Sequence, residues 1–215
     1  AAFGGDCLPV GACCFGLDGC ADDVKEADCV GEWLGAGSSC ADCVSGACCN
    51  SDGTCEYLYS EDCTGAFQGA DVLCADVQCA VAPDNDICDN ALSISDGDTG
   101  VDNTSAYTDG PPDFNLCDNF DVEQVYNDIW FSYEASCDGD VTISTCDTVD
   151  FDSRLAVYAS CGGAMIACND DCGGANNTLS SELAITDVSA GDMLYIRLGS
   201  FAEGGTGTGV LSVSC

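Results

Sequence analysis

Twenty-one cysteines in 215 residues constrain this chain more than any other feature. Thiols at that density belong to an oxidising compartment, because cytosolic thiol buffers would keep them reduced and the chain largely unable to fold. Thirteen lie in the first 79 residues and eight between Cys88 and Cys215. The number is odd, so at least one cysteine has no partner within the chain. It is either a free thiol or a link to another molecule.

The first thirteen are ordered by an internal repeat. Gly11-Ala12-Cys13-Cys14 recurs as Gly46-Ala47-Cys48-Cys49. Each Cys-Cys pair is followed by an Asp-Gly turn (Asp18-Gly19, Asp52-Gly53) and then by Cys20 or Cys55. Asp28-Cys29 matches Asp62-Cys63, and Gly31-Glu32-Trp33 matches Gly65-Ala66-Phe67. Cys40 and Cys43 close the first unit, Cys74 and Cys79 the second. Units this short cannot bury a sufficient core, and three disulfides each, at about 2–4 kcal/mol apiece, would replace it. Trp33 or Phe67 is expected to pack on the cystines. The zinc-ribbon spacing of two C-x2-C pairs is absent, which disfavours metal. Six cysteines per repeat account for Cys13 through Cys79 and leave Cys7, in the arm 1–10, as the odd thiol and candidate for an intermolecular bond. If Cys7 bonds into the second domain instead, Cys215 is the thiol released. The eight later cysteines, Cys88 and Cys117 among them, can pair evenly.

Charge narrows the partners. Lys25, Arg154 and Arg197 are the only basic residues against 38 acids, a net charge of −35. That excludes nucleic acid and an anionic membrane surface, both of which need a basic face. A globule of this size exposes roughly 9,000 Å², which spaces the net charges by about 16 Å. The Debye length is about 8 Å in physiological salt and about 30 Å at 0.01 M, so self-repulsion is severe in fresh water unless cations bind. With 47% hydrophobic residues the chain is not a disordered acidic tail. No apolar run is long enough to span a membrane. A chain beginning at Ala1 with no basic, apolar leader reads as a mature secreted form whose signal peptide is gone. Histidine is absent, which removes the commonest general base and zinc ligand. No hydrolase, zincin or P-loop motif is present. The chain is expected not to be an enzyme.

The organisation follows: an arm 1–10, disulfide-rich repeats 11–43 and 44–79, a linker 80–83, and a domain 84–215. In that domain short apolar runs alternate with turns. Strands are predicted over Asp128–Glu134, Val141–Thr145, Leu155–Ala159, Ala164–Cys168, Leu183–Val188, Met193–Leu198 and Gly209–Cys215. Gly162-Gly163 and Gly204-Gly205 are expected to turn hairpins. Seven or more antiparallel strands in about 130 residues imply an all-β, two-sheet sandwich.

The segments Asp128-Ile129-Trp130-Phe131-Ser132-Tyr133, Val141–Cys146, Phe151–Tyr158, Ala167–Cys172, Leu194–Gly199 and the closing Thr206–Ser214 occur in the order of a known family. Residues 84–215 resemble the bacterial prepeptidase C-terminal (PPC-like) jelly-roll domain in its cysteine-rich, secreted variety. The repeats resemble a short module found in tandem in secreted proteins of environmental bacteria. The resemblance implies an extracellular, non-catalytic β-sandwich, sometimes calcium-bound and sometimes adhesive.

Oxygen ligands for calcium are plentiful. Asp150 and Asp152 precede one predicted strand, and Asn169-Asp170-Asp171 follows the next. A hairpin at Gly162-Gly163 would bring all five side chains to one edge. Asp84-Asn85-Asp86, Asp96-Gly97-Asp98 and Asp138-Gly139-Asp140 are weaker sites of the same kind. Asn103-Thr104-Ser105 and Asn176-Asn177-Thr178 fit the glycosylation pattern. Trp33 and Trp130 could stack on sugars, although packed roles suit them better. Two functions compete. One is a secreted structural subunit, self-assembling into a filament or matrix held by disulfides and calcium. The other is an adhesion module for carbohydrate or a surface protein.

Overall fold

The computed structural model describes residues 9–15, 19–40, 43–60, 62–112, 124–172 and 179–215. Cys7, Cys117 and the Asn176-Asn177-Thr178 triplet fall outside them. The chain divides into two compact units, Ala1–Ala80 and Val81–Cys215.

The first unit holds the two repeats, and each folds to the same three-stranded sheet. In the first, β1 (Val10–Cys14) lies between β2 (Cys20–Lys25) and β3 (Glu32–Trp33). In the second, β4 (Ser45–Cys49) lies between β5 (Cys55–Tyr59) and β6 (Ala66–Phe67). The disulfides repeat as well. Cys13–Cys29, Cys14–Cys43 and Cys20–Cys40 correspond to Cys48–Cys63, Cys49–Cys79 and Cys55–Cys74. The vicinal cysteines end the central strand, so one sulfur leaves each face of the sheet and both faces are clamped. The glycines that recur in the two repeats have a steric cause. A Cβ on Gly11 would sit 1.8 Å from the Gly35 carbonyl oxygen, and one on Gly46 would sit 2.0 Å from that of Gly69. Ala12, Cys13, Ala47 and Cys48 are fully buried, so each unit's core is cystine and alanine.

The second unit is a β-sandwich. Its strands are β7 (Leu92–Ile94), β8 (Gly97–Asp102), β9 (Tyr126–Glu134), β10 (Gly139–Ser144), β11 (Ser153–Tyr158), β12 (Met165–Asn169), β13 (Glu182–Val188), β14 (Met193–Ser200) and β15 (Thr208–Ser214). One sheet runs β13-β10-β15-β8 and the other β12-β11-β14-β9-β7. All pairings are antiparallel except β7 with β9. The alternation of the sequence becomes the core between the sheets. Ile129, Phe131 and Tyr133 of β9, Leu155 and Val157 of β11, and Ile196 and Leu198 of β14 meet Val141 and Ile143 of β10 with Leu211 and Val213 of β15.

All seven predicted strands form, and their ends move by no more than two residues. β7 is only three residues long and β8 buries one side chain, Val101, so neither announces itself. The Gly162-Gly163 turn joins β11 to β12 as expected. Gly204-Gly205 does not turn a hairpin, because β14 and β15 lie in different sheets and the chain crosses between layers there. Cys215 is not a released thiol: it bonds Cys137. Cys88–Cys161 and Cys146–Cys172 are also bonded, and Cys168 is a half-cystine.

Candidate functional site: two buried arginines and an acidic edge

The five-stranded sheet is covered on its outer face too, and there the chain's only arginines are wholly buried. On β14, Arg197 is the register partner of Trp130 on β9 and Ala156 on β11. A buried guanidinium is tolerable only if its charge and all its N–H groups are answered. Its Nε–H donates to Asp128 Oδ2 at 2.8 Å and Nη2 to Asp128 Oδ1 at 3.0 Å, a two-pronged pair between wholly buried side chains. Its other N–H groups donate to the carbonyls of Pro111 and Val125 and to Gln124 Oε1 at 2.8–2.9 Å. The cation also lies 5.6 Å from the Trp130 ring centroid, and Trp130 tilts against Tyr158 at 5.3 Å. Gly110 fits against the guanidinium, and a Cβ there would meet Cζ at 2.2 Å.

Carboxylates ring this cradle. Asp86 is buried and accepts the Tyr107 N–H at 2.8 Å. Burial pushes it up to about 6, with Asp128 adding to the push and the Tyr107 hydrogen bond opposing it. Asp109 reaches solvent on one side, yet its carboxyl is pushed up to about 7, first by desolvation and then by the charges of Asp128 and Asp86. The Arg197 charge offsets part of that rise.

Arg154, on β11, organises the edge where calcium was expected. β11 and β12 pair with Leu155 opposite Asn169, so residues 152–154 lie beside residues 169–171. Arg154 Nε is 3.8 Å from Asp170 Oδ1, Nη1 donates to the Gln124 carbonyl at 2.9 Å, and the cation lies 5.2 Å from the Phe201 ring centroid. Asp152 is half-buried. Burial raises its pKa, the charges of Asp170 and Asp171 raise it further, and Arg154 opposes them. The Asn169 Oδ1 is buried without a hydrogen-bond partner. Asp152, Asn169, Asp170 and Asp171 therefore share one end of the sandwich.

Asp150 turns elsewhere: it accepts the Thr208 N–H at 2.6 Å and caps the start of β15 in the other sheet. A buried cation beside the acids, and the diversion of Asp150, were not visible as residue types in a row. Among the described residues, the only groups of three or more metal-binding side chains that converge contain cystine sulfurs, not three carboxylates.

The weaker acidic motifs hold the fold. Asp96 accepts the Tyr133 hydroxyl, the Ser136 hydroxyl and the Cys215 N–H. Asp98 accepts from Ser212, and Asp138 from the Ala190 N–H. Asn85 pairs with both backbone groups of Trp130. Asn103 is 1% exposed, with its amide donating to the Asn127 carbonyl and accepting the Gly207 N–H, so it is closed to glycosylation in the folded state. Trp130 is 3% exposed and cannot stack on a sugar. In the first unit, Trp33 donates to the Val24 carbonyl and lines a hollow of about 200 Å³ with Pro9, Lys25, Glu26 and Ala27. Every described aromatic is buried or half-buried.

A T9SS-associated family model described as galactose binding domain-like matches residues 84–202. No curated protein sequence matches the chain. Among solved structures, the pre-peptidase C-terminal domain of a collagenase from Bacillus anthracis is similar at 15% identity and a TM-score of 0.35, over 58% of this chain and 94% of that one.

Proposed function

Because this chain belongs to the galactose binding domain-like family, we propose that it acts as an extracellular, non-catalytic module whose partner is a further copy of itself, building a filament or matrix. One observation carries the choice of partner. Both edge strands of the five-stranded sheet show large aliphatic side chains to solvent: Ile166 on β12 at 43% exposure and Leu92 on β7 at 48%. Open strand edges with apolar side chains are templates for a neighbour's strand. A contact between unlike edges does not close on itself and grows into fibres. The disulfides support the extracellular setting. No helix among the described residues is long and apolar enough to cross a membrane.

Negative-stain imaging of the purified protein tests this reading, with and without reductant. Regular fibres, lost when Ile166 and Leu92 are both changed to Lys, are the expected result. Uniform monomer-sized particles at all concentrations would refute it.

The family description favours a second reading, carbohydrate binding. Against it stands the lack of an exposed aromatic platform among the described residues. A glycan array with the folded protein decides between them. Calcium at the Asp152–Asn169–Asp171 edge is a further part of the proposal, supported by the unanswered Asn169 oxygen and the crowded carboxylates. It predicts a rise in Tm with millimolar calcium, by mass action on the folded state, that Asp152→Asn abolishes. An equal rise in both proteins would mean that calcium acts elsewhere.

A further inference from the structure

We propose that the cystines Cys20–Cys40 and Cys14–Cys43 of the first repeat form a thiol–disulfide relay, which takes a thiolate in at Cys40 and releases one at Cys14. The Sγ of Cys43 lies 3.1 Å from the Sγ of Cys20, although each is bonded to a different partner. The Cys14 sulfur belongs to the same group, with all three within 4.8 Å of one another. The second repeat has the same connectivity, yet its sulfurs do not converge in this way. The difference is written in the spacing. Two residues separate Cys40 from Cys43, and four separate Cys74 from Cys79.

The exchange balances without an oxidant or reductant. An incoming monothiol loses its proton to water, and its thiolate attacks the Cys40 sulfur. An RS–S–Cys40 bond forms, and the electron pair leaves on Cys20. The Cys20 thiolate then attacks the Cys43 sulfur beside it. A Cys20–Cys43 bond forms, Cys14–Cys43 breaks, and Cys14 leaves as a thiolate that takes a proton. The number of disulfides is unchanged. Exposure sets the direction: Cys20, Cys40 and Cys43 are half-buried, whereas Cys14 is 1% exposed and cannot be the point of attack. Asp22 restrains the first step. Its carboxylate accepts the Cys40 N–H at 2.6 Å and lies within 4.8 Å of the Cys20 and Cys40 sulfurs, where it repels an incoming thiolate. This activity goes beyond the proposed assembly and holds whether or not the protein polymerises. Where it does, the relay gives a neighbouring copy's thiol a place to bond.

The folded protein is treated at pH 8 with rising 2-mercaptoethanol until the first adduct forms, then acid-quenched, alkylated and mapped by mass spectrometry. The expected products are an adduct on Cys40, a new Cys20–Cys43 cross-link and an alkylated Cys14, with no Cys55–Cys79 cross-link. Asp22→Asn, which keeps the acceptor oxygen, is expected to speed adduct formation about threefold. An adduct on Cys40 without the Cys20–Cys43 cross-link overturns the relay. So does opening of other cystines while Cys20–Cys40 stays shut, or an equal yield of Cys55–Cys79.

Discussion

Asp128 and Arg197 are each wholly buried, so neither has water to fall back on if the other is lost. Burial pulls the Arg197 pKa down, but the charge and hydrogen bonds of Asp128, with Tyr158, leave it above its ordinary value. Arg197→Met strands the Asp128 carboxylate and frees the Pro111 and Val125 carbonyls. A loss of about 3–5 kcal/mol is expected in urea unfolding of the sandwich. Asp86 works in the opposite sense. Its folded value of about 6 lies above the 3.8 of an unperturbed carboxyl, so the folded state holds a proton that the unfolded state has released. Its contribution is complete below about pH 4 and is lost as pH rises through 6; that of Asp109 is lost as pH rises through about 7. The Tm is therefore expected to fall between pH 5 and pH 8, and Asp86→Asn to flatten that fall. Asp96 gives the mirror case. The hydroxyls of Ser136 and Tyr133 and the Cys215 N–H hold its pKa below the ordinary carboxylate value, so its contribution is present at neutral pH and lost in acid. Nothing in a row of aspartates distinguishes these roles. Asp86, Asp96 and Asp150 look alike in sequence, and only the groups that face them set them apart.

At the scale of elements, glycine carries the sharpest test. Gly46→Ala would drive a Cβ into the Gly69 carbonyl at 2.0 Å, where backbone on both sides leaves no room to yield. Repeat 2 is expected to lose its native cystines, read as scrambled linkages in a non-reducing peptide map. Gly100→Ala in β8 meets nothing within 4 Å and has ordinary backbone angles, so it is expected to leave Tm unchanged or slightly raised. Removing Cys48–Cys63 by a double serine change is expected to cost about 2–4 kcal/mol. The repeat was legible because its cause is local: turns, close approaches and cysteine spacing recur within 34–36 residues. The strands β9 to β15 were legible because their short apolar runs are set between turns, with β10 showing the alternation of a sheet that has one face in the core. β8 was not, since an edge strand with one buried side chain has no pattern to show. The Gly204-Gly205 turn misled for a related reason: a glycine pair marks a reversal but not which sheet the chain rejoins.

At the scale of the whole molecule, charge is the governing quantity. With both arginines inside, Lys25 is the only basic side chain left to answer the surface acids of a chain whose net charge is −35. Association between copies is therefore expected to be absent at 0.01 M ionic strength and to appear as salt screens the repulsion, which light scattering across a salt series would record. Composition and short-range spacing pointed to the oxidising setting and to the division into disulfide-clamped repeats and an all-β domain. These follow from counts and from short-range spacing, which a linear chain carries openly. Tertiary structure decided which sulfurs join, that the two arginines face inward, and that Asp150 leaves the acidic edge for β15. It also decided that the sulfurs of Cys20 and Cys43 touch across two cystines. Each of these depends on which distant residues the fold brings within a few ångströms, and only the folded chain sets those distances.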